Sequence, residues 1–504
     1  MEAKSGIPLI DRAVSYDQRM AIVDESGAYT YRQLLSASKQ AASLLLQDRK
    51  DLEEQRVAFM VPPGFTYAAV KWGIWTAGGI AVPLCVSYPP PELEYVIYDS
   101  DAEIVVAHPE YAAMLRPISD RKKCRFLLTS QFACRSKTLL PSIDLYRRAM
   151  ILYTSGTTGK PKGVVTTHCN ITAQITSLVK AWEWTAEDRI LGVLPLHHVH
   201  GIINILSCAL WSGATCELLA KFDASAVWER FVQNDYTLFM AVPTVYVRLI
   251  SAWEEASERE KEAMSRACSK FRLMVSGSAA LPVSVFEKWK AITGQVFLER
   301  YGMTEIGMGL SNPVHGERRP GYVGVPLPGV RLRLVDEKRK EIHQEGVPGE
   351  IQVQGQNVFL EYWRRPEETK RAFHNGWFNT GDIAVVENGY YRILGRNSVD
   401  IIKTGGYKVS ALEIEEVLRT HKKIRECAVV GVEDPQWGER VCAAVVLRAP
   451  ASLTLKDLRS WAKKQIAPYK VPSRLLILEE LPRNAMGKVT KPAVKKLFGR
   501  HLQK

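Results

Sequence analysis

Residues 153–163, Tyr-Thr-Ser-Gly-Thr-Thr-Gly-Lys-Pro-Lys-Gly, hold three glycines, four aliphatic hydroxyls and two lysines in eleven positions. Glycines let a backbone approach a ligand closely and leave its N–H groups free to point at it. Hydroxyls add donors, and lysines add positive charge. Thr154, Ser155, Gly156, Thr157, Thr158, Gly159 and Lys160 therefore make a candidate phosphate cradle. A Walker P-loop is excluded, because it needs four residues between its first glycine and Gly-Lys, then Ser or Thr. Here two residues separate Gly156 from Gly159, and Pro161 follows Lys160. The proline also argues against a helix starting at the lysine. A merely polar surface loop would not order hydroxyl, glycine and base in this way.

Other stretches offer matching chemistry. In Tyr301-Gly302-Met303-Thr304-Glu305 an aromatic beside glycine can stack on a purine. Thr304 and Glu305 supply oxygens, and Mg²⁺ prefers few carboxylates plus phosphate. Asp382, in Thr380-Gly381-Asp382, can accept both hydroxyl hydrogens of a ribose diol, and Arg396 after Gly395 is a second candidate there. Taken alone, the same two residues are better explained by turn chemistry and a surface ion pair. Lys488 follows Gly487, and a glycine at that point lets a loop enter a tight site. Lys403-Thr404-Gly405-Gly406-Tyr407-Lys408 is another glycine-basic loop. His197, His198 and His200 end an apolar run, but no carboxylate or cysteine completes a zinc set. Arg248 follows an apolar strand and Arg300 precedes Tyr301. A buried guanidinium is costly without an anion, so a substrate with a second carboxylate, held in a bidentate fork, suits this pair. Arg248 taken alone is equally an exposed arginine at a helix start.

The elements that must position these groups follow from the apolar pattern. Short apolar runs recur at 57–61, 80–84, 103–107, 149–153, 189–194 and 238–242, with helix-length segments between several of them, such as 65–77. That spacing predicts βα units and mainly parallel sheets. Residues 271–275 form a further strand, and Ser276-Gly277-Ser278-Ala279-Ala280 is a tight turn opening a helix. Ligands sit where strands end in such turns. From about Arg331 short strands and frequent glycines predict a β-rich subdomain to residue 395. Beyond it, Ala411, Ile414, Val417 and Leu418 mark a helical stripe, 426–432 and 441–447 are strands, and 455–465 is a second helix. The expected fold is α/β: a large N-terminal domain, 1–395, of mainly parallel βα-built sheets, and a smaller α+β domain, 396–504.

The chain has 504 residues, 46% hydrophobic and 24% charged, as in ordinary globular proteins. Its longest apolar stretches, such as 201–210, are too short to span a bilayer. Nine scattered cysteines without metal-ligand spacing point to reduced thiols. The net charge is +13, and residues 396–504 hold 22 Lys/Arg against 11 Asp/Glu. No groove-reading motif accompanies this charge, so nucleic acid is not the expected partner. An anion such as ATP or CoA is attracted equally well. The first residues lack the Arg-rich, acid-poor character of a matrix-targeting peptide, and the last four are not a peroxisomal address. Oligomeric state is left open.

In this order, the parts resemble the acyl-adenylate-forming superfamily, which includes acyl-CoA synthetases, luciferases and peptide-synthetase adenylation domains, over roughly residues 20–495. The resemblance implies ATP held by residues 154–160, Gly277, Tyr301 on adenine, Gly302, Met303, and Asp382 and Arg396 on ribose. It implies Mg²⁺ on Glu305 and Thr157, and catalysis by Lys488, His198, Thr304 and Glu305. Lys403, Gly405, Gly406 and Tyr407 would line a CoA tunnel after a rotation of the C-terminal domain. The family's hinge, usually Asp or Lys, is Ser398 here, and a small polar residue can absorb such a rotation. The stretches 198–201, 242–248, 276–278, 299–305 and 400–410 together resemble malonyl-CoA synthetases of the animal mitochondrial type. That narrower resemblance implies a distal carboxylate held by Arg248, Arg300 and Ser278, with His200 facing the substrate. The expected substrates are then ATP, CoA and malonate or methylmalonate, in the mitochondrial matrix by family resemblance or otherwise in the cytoplasm. A CoA ligase for a short or medium monocarboxylate, with Arg248 structural, and an adenylation-only module are the alternatives.

Overall fold

The computed structural model describes residues 5–133, 139–154, 161–397, 399–404, 407–434, 436–483 and 488–500. Ser155, Gly156, Thr157, Thr158, Gly159, Lys160, Ser398, Gly405 and Gly406 lie outside the described residues. Among those described, the strands form four sheets. The architecture is mixed α/β, with large N-terminal sheets and a smaller C-terminal sheet, as the apolar pattern predicts.

In the seven-stranded sheet Arg56–Met60, Ile80–Pro83 and Ile104–Ala107 run parallel. Parallel neighbours need a crossover, and the helix Phe65–Thr76 supplies it between the first two. Tyr67 to Thr76 are all buried, which suits a helix apolar on nearly every side. At the other flank Arg148–Thr154 pairs antiparallel with Lys162–Thr167. The cradle residues thus connect two strands of a hairpin, and a strand, not a helix, follows Pro161.

The nine-stranded sheet places Leu298–Met303 between Leu273–Ser276, parallel, and Gly307–Ser311, antiparallel. Thr304 and Glu305 sit in the tight turn joining the last two strands. A third, antiparallel sheet, Arg331–Val335, Gly349–Gln354, Phe373–His374, Trp377–Glu387 and Tyr390–Arg396, is the expected β-rich unit. The fourth sheet, built on Ile424–Asp434 and Gly438–Leu447, has apolar clusters on both faces, drawn only from residues 402 onward.

One element departs from the apolar pattern. His200–Ser207 is a π-helix continued by the helix Cys208–Ser212, where an uninterrupted apolar run carries no periodicity to announce it. No helix among the described residues is long and apolar enough to cross a membrane.

Candidate active site

Arg300 leaves the strand Leu298–Met303 pointing inward and is 3% exposed. Its Nη2 donates to Ser278 Oγ at 3.2 Å, and Ser278 Oγ lies 3.3 Å from His200 Nδ1. Its Nε has no partner among the described residues, and no carboxylate pairs with it. Burial pulls the guanidinium down to about 9. The turn after Leu273–Ser276 is shaped to it: a Cβ on Gly277 would lie 2.6 Å from Arg300 Cζ, so a side chain there would displace the guanidinium. Ser278 holds a left-handed backbone, φ +69°, an uncommon state for a non-glycine residue that tends to be kept at functional sites.

Lys488 joins this cluster from the C-terminal sheet's side of the molecule. Burial, then the charges of Arg300 and Arg396, lowers its ammonium to about 8. His198 and His200 are both held well below the usual imidazole range, by burial first and by Lys488 among the neighbouring charges. The Nε2 atoms of both rings are unpartnered among the described residues. Among the described residues the site therefore gathers two cations and two neutral imidazoles and supplies no carboxylate to the guanidinium.

The nucleotide-side candidates meet a short way along the same strand. Tyr301 Oη donates to Asp382 Oδ2 at 2.5 Å, and Arg396 Nε lies 3.3 Å from Asp382 Oδ1. Asp382 and Arg396 face each other as register partners on adjacent strands. An ionised carboxylate has about four lone-pair sites, so these two contacts leave capacity for a diol. Gly302 packs where a Cβ would strike the Gly307 carbonyl at 2.1 Å. Met303 ends the strand, and its carbonyl accepts from Ile306 N at 3.1 Å, which closes the turn carrying Thr304 and Glu305. Glu305 is 6% exposed, and its Oε1 accepts from Tyr362 Oη at 2.9 Å. Burial raises this carboxyl, and the tyrosine's bond opposes the rise. Thr154 is the last residue of the strand entering the cradle.

Three candidates are not drawn into this cluster. Arg248 sits on the exposed side of the helix Pro243–Glu255, with its guanidinium 4.8 Å over the Phe222 ring and no ion pair among the described residues. The helix itself is fixed, since Tyr246 Oη donates to the Val275 carbonyl at 2.8 Å. Spacing alone places Arg248 on the right helix but does not show which way its side chain turns. Lys403 is exposed, and its backbone N–H donates to Glu439. Tyr407 stacks on Tyr469, centroids 4.4 Å apart, in a largely exposed aromatic pair. Tyr362 and Tyr469 have no signature in the sequence; only tertiary contact brings them to Glu305 and Tyr407.

The family described as AMP-binding enzyme matches residues 10–363, and its C-terminal domain matches residues 413–488. The chain belongs to the AMP-binding enzyme family. This AMP-binding enzyme is 46% identical to the mitochondrial malonate–CoA ligase ACSF3 of Xenopus laevis, covering 96% of this chain and 91% of that protein. It is 41% identical to the malonate–CoA ligase of Arabidopsis thaliana, over 95% and 86% of the two chains. Among solved structures it resembles ATP-bound MatB from Rhodopseudomonas palustris, with 33% identity, a TM-score of 0.90 and coverage of 98% and 99%. The apo crystal of MatB gives 0.81 at the same identity and coverage, so this AMP-binding enzyme is arranged more like the ATP-bound form.

Proposed function

We propose that this AMP-binding enzyme is an ATP-dependent malonate–CoA ligase that also takes methylmalonate. The observation that carries the reading is Arg300, a buried guanidinium with a serine for a neighbour and no ion pair among the described residues. Leaving such a charge unpaired is strongly unfavourable, and a substrate with a second carboxylate supplies the missing partner. The malonate–CoA ligases among the relatives support the same substrate. In this reading Arg300 and Ser278 hold the distal carboxylate beside His200, and Arg248 reaches it only by leaving Phe222. His198 and Lys488 face the reacting carboxylate.

In the first step a carboxylate oxygen of malonate attacks the α-phosphorus of ATP, and pyrophosphate leaves. Lys488 lowers the repulsion between the two anions and stabilises charge developing at phosphorus. Tyr301, Asp382 and Arg396 orient the nucleoside, and residues 154–160 cradle the phosphates. The donor set of Glu305 and Thr157, hard oxygens with one carboxylate, fits Mg²⁺, and bound with ATP the metal would neutralise phosphate charge. In the second step the CoA thiolate attacks the acyl carbonyl, forming the thioester bond, and AMP leaves. For this the C-terminal domain, residues 396–504, turns about Ser398 against the N-terminal domain, 1–395, withdrawing Lys488 and bringing in Lys403, Gly405, Gly406 and Tyr407. The separate apolar clusters of the C-terminal sheet support such a rigid lid. The mitochondrial name of the animal relative supports a matrix location.

The test is pyrophosphate release with Mg·ATP and CoA across malonate, methylmalonate, acetate, octanoate and benzoate. Malonate should be strongly preferred, and R300Q should lower its kcat/KM by about 100-fold or more while acetate changes far less. Equal use of monocarboxylates would discard the distal-carboxylate site. AMP release that does not depend on free CoA would point to an adenylation-only module.

A further inference from the structure

Residues 357–363 run between the turn that carries Glu305 and the strand that follows the phosphate cradle. On one side Asn357 Nδ2 donates to the Ile306 carbonyl at 2.7 Å, and Phe359 N donates to the Glu305 carbonyl at 2.7 Å. On the other side Leu360 N donates to Val165 O at 2.9 Å and Trp363 N to Gly163 O at 2.7 Å, with Tyr362 the register partner of Val164. The segment is thus a strut with its backbone on the cradle strand. Tyr362 spans the gap with its side chain, donating from Oη to Glu305 Oε1 at 2.9 Å. Its ring is held in place: Phe359 packs 4.8 Å away, and Lys162 Nζ, ion-paired with Glu368, lies 5.2 Å from the ring centre.

We infer that Tyr362 is a positioning residue for the Glu305 carboxylate, setting where its metal-facing oxygen stands relative to the phosphate cradle. A glutamate has three side-chain torsions, and a hydroxyl bonded to one carboxylate oxygen selects one orientation and directs the other oxygen at the cation. Groups that orient a metal's ligands in this way commonly affect affinity as strongly as many direct contacts. Because the Tyr362 backbone is in register with the strand that leaves the cradle, its hydroxyl ties the Glu305 carboxylate to that strand. The inference rests on the reading that Glu305 holds the metal of Mg·ATP.

The experiment measures Mn²⁺ affinity by electron paramagnetic resonance in the presence of α,β-methylene-ATP, for the wild type, Y362F and E305Q. Y362F keeps the ring between Phe359 and Lys162 and removes only the hydroxyl. It should weaken Mn²⁺ binding about tenfold without a matching loss of melting temperature, and added Mg²⁺ should restore much of its adenylation rate. If E305Q weakens Mn²⁺ binding and Y362F does not, Tyr362 only packs and the inference falls. If E305Q itself leaves Mn²⁺ affinity unchanged, the metal reading of Glu305 falls and takes the inference with it.

Discussion

Lys488 brings a positive charge to a place that already holds one. Burial and the nearby Arg300 and Arg396 leave its ammonium ready to lose a proton at about pH 8 in the free enzyme. Because only the protonated form can offset two converging anions, the alkaline side of the pH profile should report this group. Measured as ATP–pyrophosphate exchange without CoA, kcat/KM for malonate should hold below pH 7 and fall as pH rises through about 8, since kcat/KM follows free-enzyme ionisations. K488R, slower overall, should lose the fall centred near pH 8, because an arginine holds its proton to higher pH than a lysine in the same place. A K488R profile with the same descending limb would assign it to another group. At this scale the sequence is informative where glycine or charge type constrains chemistry. Gly277, Arg300 and Lys488 all come together as their types suggest. Arg248 does not, because a residue type and a helix position leave the direction of a long side chain undetermined.

Among the elements, the helix Phe65–Thr76 is the one whose content is least expected. Lys71 is wholly buried in it, with Nζ 3.3 Å from Ser207 Oγ at the end of the π-helix and 4.9 Å over the Trp75 ring. No carboxylate pairs with it among the described residues, and burial lowers its ammonium to about 7. The linkage sign follows directly. Below pH 7 the lysine is charged in both folded and unfolded chains, and the folded state bears the whole cost of burying it. Between about 7 and the unfolded value the folded chain has shed a proton that the unfolded chain keeps, so stability rises with pH. K71M should therefore raise stability by something on the order of 3 kcal/mol below pH 7, with the gain vanishing by about pH 11. Melting curves of both proteins across that range decide it, and a gain independent of pH would mean that Lys71 carries the same protonation in the folded and unfolded chains, its value not lowered by burial. The strands were legible because short apolar runs between glycines and prolines leave little choice. A lysine inside an apolar helix is not legible in that way, since sequence patterning treats it as a solvent-facing residue. The π-helix is hidden for the opposite reason: with apolar residues on every side, no face is distinguished.

At the scale of the whole molecule, one polar contact among the described residues joins the C-terminal part to the large sheets by way of a helix N-terminus. Glu416, on the helix Ala411–Arg419, accepts from the Val283 N–H, at the start of the helix Val283–Thr293, at 3.3 Å. This contact belongs to the arrangement that resembles ATP-bound MatB more than apo MatB. E416A should loosen that arrangement, slowing acyl-adenylate formation about two- to fivefold, the scale of an exposed charged contact, with thioester formation from preformed adenylate no slower. Single-turnover measurements of the two halves separate these effects, and equal slowing of both would remove Glu416 from any role in domain placement. The meeting of Lys488 with Arg300 has a consequence for timing. On the proposed two-step mechanism, an empty enzyme sets Lys488 and Arg300 near each other across the boundary between its two parts, and closure would gain when two negatively charged reactants lie between them. When pyrophosphate departs, part of that negative charge goes with it, and the like charges again push the lid away. On that mechanism the sequence of closing and reopening would follow a running count of anions in the cleft, with no separate trigger needed to mark the end of the first reaction.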